Sequence, residues 1–243
     1  MKITIIHGSQ RKGNTEKTIE IVEKSLNSIE NNEFFHFYLP KDLPVFCCGC
    51  FRCFEEGSFG GEFCPHSKYT HPILDALKKS DGIIIASPVY SLSESGQVKG
   101  FLDHFACIFM PHRPLKEMFS KSAFIISTTA GSGTKHSIRP IARSLKFWGI
   151  PKIYECGFNL WAKDWSEMSI KKKNKYEKVL EKKSYAFYKS MKCKQKYIPV
   201  QTKILFNVFK RFINSYPDGN PDKEYWRENR WLQGNRPWKR SRK

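Results

Sequence analysis

The sequence predicts an α/β fold: a parallel sheet of five strands with helices on both faces. Three observations carry this. Strand-like runs occur five times, stretches with helical apolar spacing stand between them, and the first run is compact and β-branched, as a buried strand is.

The first strand is "ITIIHGS" (3–9), closed by a glycine. After a polar loop, Ile19, Ile21, Val22, Leu26 and Ile29 recur at helical spacing. "EFFHFYLP" (33–40) ends at a proline, as a second strand would. A glycine- and cysteine-rich insertion over 44–70 has no clear period, and irregular segments of that length are usually functional or poorly ordered. "PILDALKKS" then reads as a helix, "DGIIIASPVY" as a strand, "GQVKGFLDHFACIF" as a helix and "SAFIISTTAGSGT" as a strand. "SIRPIARSLKFWG" is a helix stopped by Gly149, "PKIYECGF" the fifth strand, and "SEMSIKKKNKYEKVLEKKSYAFYKSMK" a long basic helix. This predicts a domain over residues 1–196 and a basic, tryptophan-rich helical extension over 197–243.

Hydrophobic content of 40% in 243 residues supports a packed core. The first residues are too sparsely apolar for a secretion signal, and no run long enough to span a membrane follows. A cytoplasmic protein with reduced or metal-bound cysteines is expected. Residues 171–243 hold 22 Lys and Arg against 6 Asp and Glu, so the net charge of +19 belongs mostly to the C-terminal part.

In an open parallel sheet, ligands bind beyond the carboxyl ends of the strands. Three loops end strands there: "GSQRKGNT" (8–15), "SPVYSLSESG" (87–96) and "TTAGSGT" (128–134). In the first, Ser9, Gln10, Arg11, Asn14 and Thr15 offer donors, Gly8 and Gly13 permit close backbone approach, and a helix follows. Taken alone, that loop suits either a phosphate or an ordinary capped turn. It has neither the lysine ending of a Walker loop nor the dinucleotide glycine pattern. The second loop adds an aromatic wall at Tyr90, and the third adds amides and hydroxyls. Together they describe a site for a mononucleotide carrying a planar ring.

In this order and spacing, "GSQRKGNT", "SPVYSLSESGQVKGFLDH" and "TTAGSGT" resemble the flavodoxin-like NAD(P)H-dependent FMN reductases. The cysteine cluster after the second strand also resembles the iron–sulfur flavoproteins of that superfamily. The resemblance covers about residues 1–160. It implies a flavodoxin-like, doubly wound sheet in the order 2-1-3-4-5, bound FMN, and a homodimer or higher homo-oligomer. It further implies that Ser9, Arg11, Gly13, Asn14 and Thr15 hold the FMN phosphate. Pro88, Val89, Tyr90 and Ser91 would flank the isoalloxazine, and Thr129, Ala130, Gly131 and Ser132 would meet its edge. NAD(P)H would be the co-substrate, and a small acceptor such as a quinone, a nitro compound or free flavin would take the electrons. The cofactor carries this chemistry, so no side chain is expected to be catalytic; His104 is a candidate proton donor, more simply read as structural.

Cys47, Cys50, Cys53 and Cys64 form a C-x2-C-x2-C-x10-C series. The preferred reading is a metal-free cap of thiols over the flavin, packed down by Phe46, Phe51, Phe54 and Phe59. The alternatives are a [4Fe–4S] cluster, although the iron–sulfur flavoproteins have a shorter final gap, and zinc closed by Cys64 or His66. An iron–sulfur electron carrier served by a ferredoxin-like partner is therefore the first rival function. In the extension, Ile204, Leu205, Val208, Phe209, Phe212 and Ile213 share a helical face, expected to pack on this domain or a partner copy. Trp226, Trp231 and Trp238 are expected to anchor the end, with the flavin edge as one destination. No nucleic-acid module is recognisable, and a non-enzymatic protein that binds anionic surfaces through its basic tail is the last rival.

Overall fold

A computed structural model describes residues 1–55, 64–193 and 197–239. Five parallel strands form one sheet: β1 (Lys2–His7), β2 (Glu33–Tyr38), β3 (Gly82–Pro88), β4 (Ser122–Thr129) and β5 (Lys152–Asn159), in the order β2-β1-β3-β4-β5. The helices are α1 (Asn14–Asn27), α2 (Ser67–Lys79), α3 (Gly96–His104), α4 (Thr134–Phe147), α5 (Ile170–Lys192), α6 (Val200–Asn214) and α7 (Pro221–Glu228). The flavodoxin-like order expected from the resemblance is the observed one.

Successive side chains of the central strands go to opposite faces, which builds two cores. On one face, Ile83 and Ile85 of β3 and Ile125 of β4 meet Leu77 of α2, Phe101 of α3 and Ile141 of α4. On the other, Ile84, Phe124 and Ile126 meet Ile19 and Val22 of α1 and Leu180 and Phe187 of α5. Ile29 of the expected helical stripe falls outside α1 and is exposed. α2 starts five residues before Pro72, where the sequence suggests its first turn. Amides of Ser67 and Tyr69 donate to Cys64 and His66 carbonyls at 2.9 Å each, which begins the turn early and leaves Pro72 inside it.

A third core joins the extension to the domain. Phe206 and Ile213 of α6, Tyr225 and Trp226 of α7, and Trp231 pack with Met110 and Phe119. Phe119 lies just before β4 and faces Gly149, just before β5, so this cluster stands at the edge opposite the three loops. The flavin edge is therefore not where the tryptophans go. The helical register of α6 also differs from the expected one. Phe206, Ile213 and half-buried Phe209 turn inward, while Ile204, Val208 and Phe212 are exposed. The apolar stripe is wider than the seam, and stacking of Phe206 on Trp226 at 4.7 Å selects which part of it is buried. Among the described residues no helix is long and apolar enough to cross a membrane.

Candidate functional site at the carboxyl edge of the sheet

β1, β3 and β4 end side by side, with His7 opposite Ala86 and Pro88 opposite Thr128. The loops that follow them are tied together. Gly8 donates its amide to the Ala86 carbonyl at 2.7 Å and accepts the Ser95 hydroxyl at 2.7 Å, while Ser95 also caps α3. A Cβ on Gly8 would stand 2.6 Å from Val98 Cγ2 and 2.7 Å from the Ala86 oxygen, so only glycine lets the loop lie this close. At Gly13 a Cβ would meet only the Arg11 side chain, at 3.4 Å.

α1 starts after Gly13 with no side-chain cap, and α4 starts after Gly133 in the same way. Their first amides have no intrahelical partner and carry the positive end of the helix dipole. Arg11 and Lys12 stand exposed beside the first of these ends. Thr15 Oγ1 and Thr128 Oγ1 lie 2.6 Å apart, and Asn14 Nδ2 donates to the Lys163 carbonyl at 3.0 Å. Asn14 Oδ1 is buried without a hydrogen-bond partner. Such an acceptor suits a ligand hydroxyl.

In the second loop Tyr90 and Ser93 exchange backbone hydrogen bonds at 3.0 Å, which forces Ser91 and Leu92 to positive φ. Tyr90 is held outward, 47% exposed, with its hydroxyl 3.5 Å from Ser9 Oγ. In the third, the Gly131 amide bonds Thr129 Oγ1 at 3.2 Å, and a Cβ on Gly133 would meet Val89 at 3.1 Å. The three loops thus form one rim, with Ser9, Gln10, Arg11, Gly13, Asn14 and Thr15 on one side and Pro88 to Ser91 and Thr129 to Ser132 on the others. The residues fit a flavin mononucleotide: free amides and cations for a phosphate, an orphan acceptor for a hydroxyl, and a tyrosine wall for a ring.

Two features of this edge were not legible beforehand. Trp161, just after β5, adopts φ 52° and is 70% exposed. A bulky residue held in left-handed backbone with its ring in water is a further aromatic surface at the site. Below the first loop, buried His7 bonds Glu16 Oε2 through Nδ1 at 2.8 Å and His36 Nδ1 through Nε2 at 2.9 Å. Tyr38 stacks on the His7 ring at 4.0 Å. Their signal was only a histidine at the end of an apolar strand and an acid in the first turn of the next helix. The hydrogen bond from His7 holds the Glu16 carboxyl below its ordinary range, against burial that opposes it. A depressed carboxyl stabilises the fold above its unfolded value and ceases to as pH falls through the folded one. Glu16→Gln is therefore expected to lower the melting temperature at neutral pH, with the gap to the parent closing below about pH 4.5. Thermal unfolding across pH checks this; a gap unchanged at acid pH refutes it.

The cysteine segment makes its contacts elsewhere. Phe46 lies on α3 at Gly100 yet is 68% exposed, Phe51 is 71% exposed, and Phe54 tilts on His112 at 4.5 Å. Phe59 lies outside the described residues. The described contacts run along α3 and the turn after it, so Phe46 and Phe51 do not pack the thiols down as a cap requires. Arg113 Nη2 donates to the Cys53 carbonyl at 3.2 Å. A hydrogen bond with Cys107, helped by the positive charges of Arg113 and His112, brings the Cys53 thiol down to about 7. Burial pushes the Cys64 thiol up, and charge on Cys53, Cys50 and Cys47 adds to it.

The profile of the NADPH-dependent FMN reductase family matches residues 1–156. An iron–sulfur flavoprotein of Archaeoglobus fulgidus is 30% identical over 178 residues, spanning 71% of this chain and 75% of that protein. An iron–sulfur flavoprotein of Clostridioides difficile is 32% identical over 131 residues, 53% of this chain and 54% of the relative. Among solved structures, an FMN-dependent NADH-azoreductase of Bacillus anthracis in complex with FMN aligns with a TM-score of 0.57 at 14% identity, over 77% of this chain and all of that one. At that identity the likeness is one of fold.

Proposed function

The chain belongs to the NADPH-dependent FMN reductase family and is a flavin oxidoreductase, and from that premise we propose an FMN-dependent NAD(P)H oxidoreductase that serves a small electron acceptor. The observation that carries the reading is the uncapped start of α1, pinned against β3 by Gly8 and bordered by Arg11 and Lys12. When bound, FMN supplies the hydride and electron chemistry. Amides at Asn14 and Thr15 and the Arg11 guanidinium would hold its phosphate. Tyr90, Val89 and the Thr129–Ser132 turn would orient its ring, and Trp161 would narrow the approach to it. The test is anaerobic addition of NADH and, separately, NADPH to the yellow protein: loss of the flavin colour is expected, and persistence of colour with both overturns the nicotinamide role. Arg11→Ala is expected to weaken FMN by about tenfold, the size of one exposed charge-assisted contact, with less effect at high salt. Titration of flavin fluorescence measures this.

One observation favours a second reading, in which the chain also carries a [4Fe–4S] cluster. Cys47, Cys50, Cys53 and Cys64 form a C-x2-C-x2-C-x10-C series within one insertion, and compact thiol spacing of this kind suits an iron–sulfur cluster. The relatives' names point the same way. The cysteines would then bind a cluster that relays single electrons, and Arg113 would position Cys53 through its carbonyl. Iron and acid-labile sulfide in anaerobically purified protein decide between a cluster and free thiols.

A further inference from the structure

We propose that Cys64, His66 and His104 form a mononuclear site for a borderline divalent ion of the zinc type. The ligand atoms of these three residues lie within 4.8 Å of one another, the one such group of three or more among the described residues. Two of them immediately precede α2 and the third ends α3, so two helices fixed on the same sheet face bring the donors together.

His104 carries the case. Its side chain is buried, with 7% of the residue exposed. Nε2 lies 3.1 Å from the Val45 carbonyl, which can only accept, so Nε2 holds the proton and Nδ1 keeps its lone pair. Nδ1 is buried and has no hydrogen-bond partner. A histidine whose second nitrogen is anchored to a carbonyl, leaving the first bare, has the arrangement of a metal ligand with its orienting partner. The His66 ring meets the His104 ring edge-on at 5.2 Å, and its side chain does not cap α2. Cys64 adds a partly buried thiol.

One sulfur and two imidazole nitrogens suit zinc or cobalt and disfavour magnesium and calcium, which take oxygen. Three protein ligands leave a fourth position for water. The ion would clamp the end of the cysteine insertion to α3. The inference is independent of the FMN reading. It shares Cys64 with the cluster set, so the two metals exclude each other at that thiol.

The test uses FMN-loaded, iron-free full chain carrying Cys47→Ser and Cys50→Ser, titrated with Co²⁺ and then Zn²⁺. One equivalent of Co²⁺ is expected, with tetrahedral bands in the red beyond the flavin absorption and a thiolate band in the near ultraviolet, both abolished by Zn²⁺. His104→Gln and His66→Gln in that background should each weaken Co²⁺ at least tenfold while FMN stays bound. If His104→Gln loses FMN through misfolding, the partly exposed His66 position decides alone. Absence of the tetrahedral bands, or equal affinity in the His66→Gln protein, overturns the site. Bands seen only when Cys47 and Cys50 are intact assign the ion to the cysteine set and equally overturn it.

Discussion

Gly8→Ala is expected to strip most of the flavin from the purified protein. The added Cβ would lie 2.6 Å from Val98 Cγ2, 2.7 Å from the Ala86 oxygen and 3.1 Å from Ser87 Cα. Two of those three atoms are backbone, so no rotamer change relieves the contact, and the loop must lift from β3. Lifting breaks the Gly8–Ala86 bond and withdraws the carbonyl that Ser95 uses while it caps α3. Overpacking of this kind costs about 1–3 kcal/mol, and that cost falls on the conformation that presents the α1 amides. An FMN affinity lower by roughly one to two orders of magnitude follows, since about 1.4 kcal/mol is tenfold. Fluorescence titration and the melting temperature report the two effects. Gly131→Ala is the control: a Cβ there meets nothing within 4 Å and should leave the fold unchanged. If Gly8→Ala binds FMN as tightly as the parent, the phosphate does not sit on this loop.

The sheet was legible because its central strands β1, β3 and β4 are buried on both faces and advertise themselves as continuous apolar runs. Ile3, Ile5, Ile6 and Ile83 to Ile85 have no other place to go. The three loops were legible because strands must end somewhere, and these end in glycine, serine and threonine where a ligand edge lies. Long-range pairing was not. Nothing in "EFFHFYLP" says that His36 will meet His7, since that bond depends on β2 lying in register beside β1, with Thr4 opposite Phe35 and Ile5 opposite His36. Trp161 was hidden for a similar reason, because its exposure follows from a backbone conformation rather than from its neighbours in sequence. The cysteines show the limit most sharply. Their spacing names candidate ligands, but the His104 nitrogen beside Cys64 sits forty residues along the chain and arrives only when α3 packs next to α2. In α6 the periodicity identified a helix with too many apolar positions, and only the position of Trp226 chose the buried ones.

Trp226→Ala is expected to detach the C-terminal helices and, through them, to loosen the cysteine segment while sparing the flavin. Trp226 is fully buried, stacks on Phe206, meets Trp231 edge-on at 5.4 Å and donates Nε1–H to the His112 carbonyl at 2.7 Å. Truncating such a side chain costs about 3–5 kcal/mol, a large part of what holds a small helical pair in place. Four residues earlier on the same helix, Asp222 accepts from Arg113 Nε and His112 Nδ1, each at 2.9 Å. Arg113 in turn donates to the carbonyls of Cys53 and Glu55. The path from Trp226 to Cys53 is therefore one helix and one buried ion pair, whereas the three loops lie at the opposite edge of the sheet. If the cysteine segment holds a metal as proposed above, that metal should be lost from the variant, with FMN content retained and the melting temperature lowered. Phe212→Ala, on the exposed face of α6, should change stability by no more than about 0.5 kcal/mol and serves as the reference. Parallel loss of metal and flavin in Trp226→Ala would show that the extension supports the whole domain; loss of metal alone locates its role at the Cys53 end.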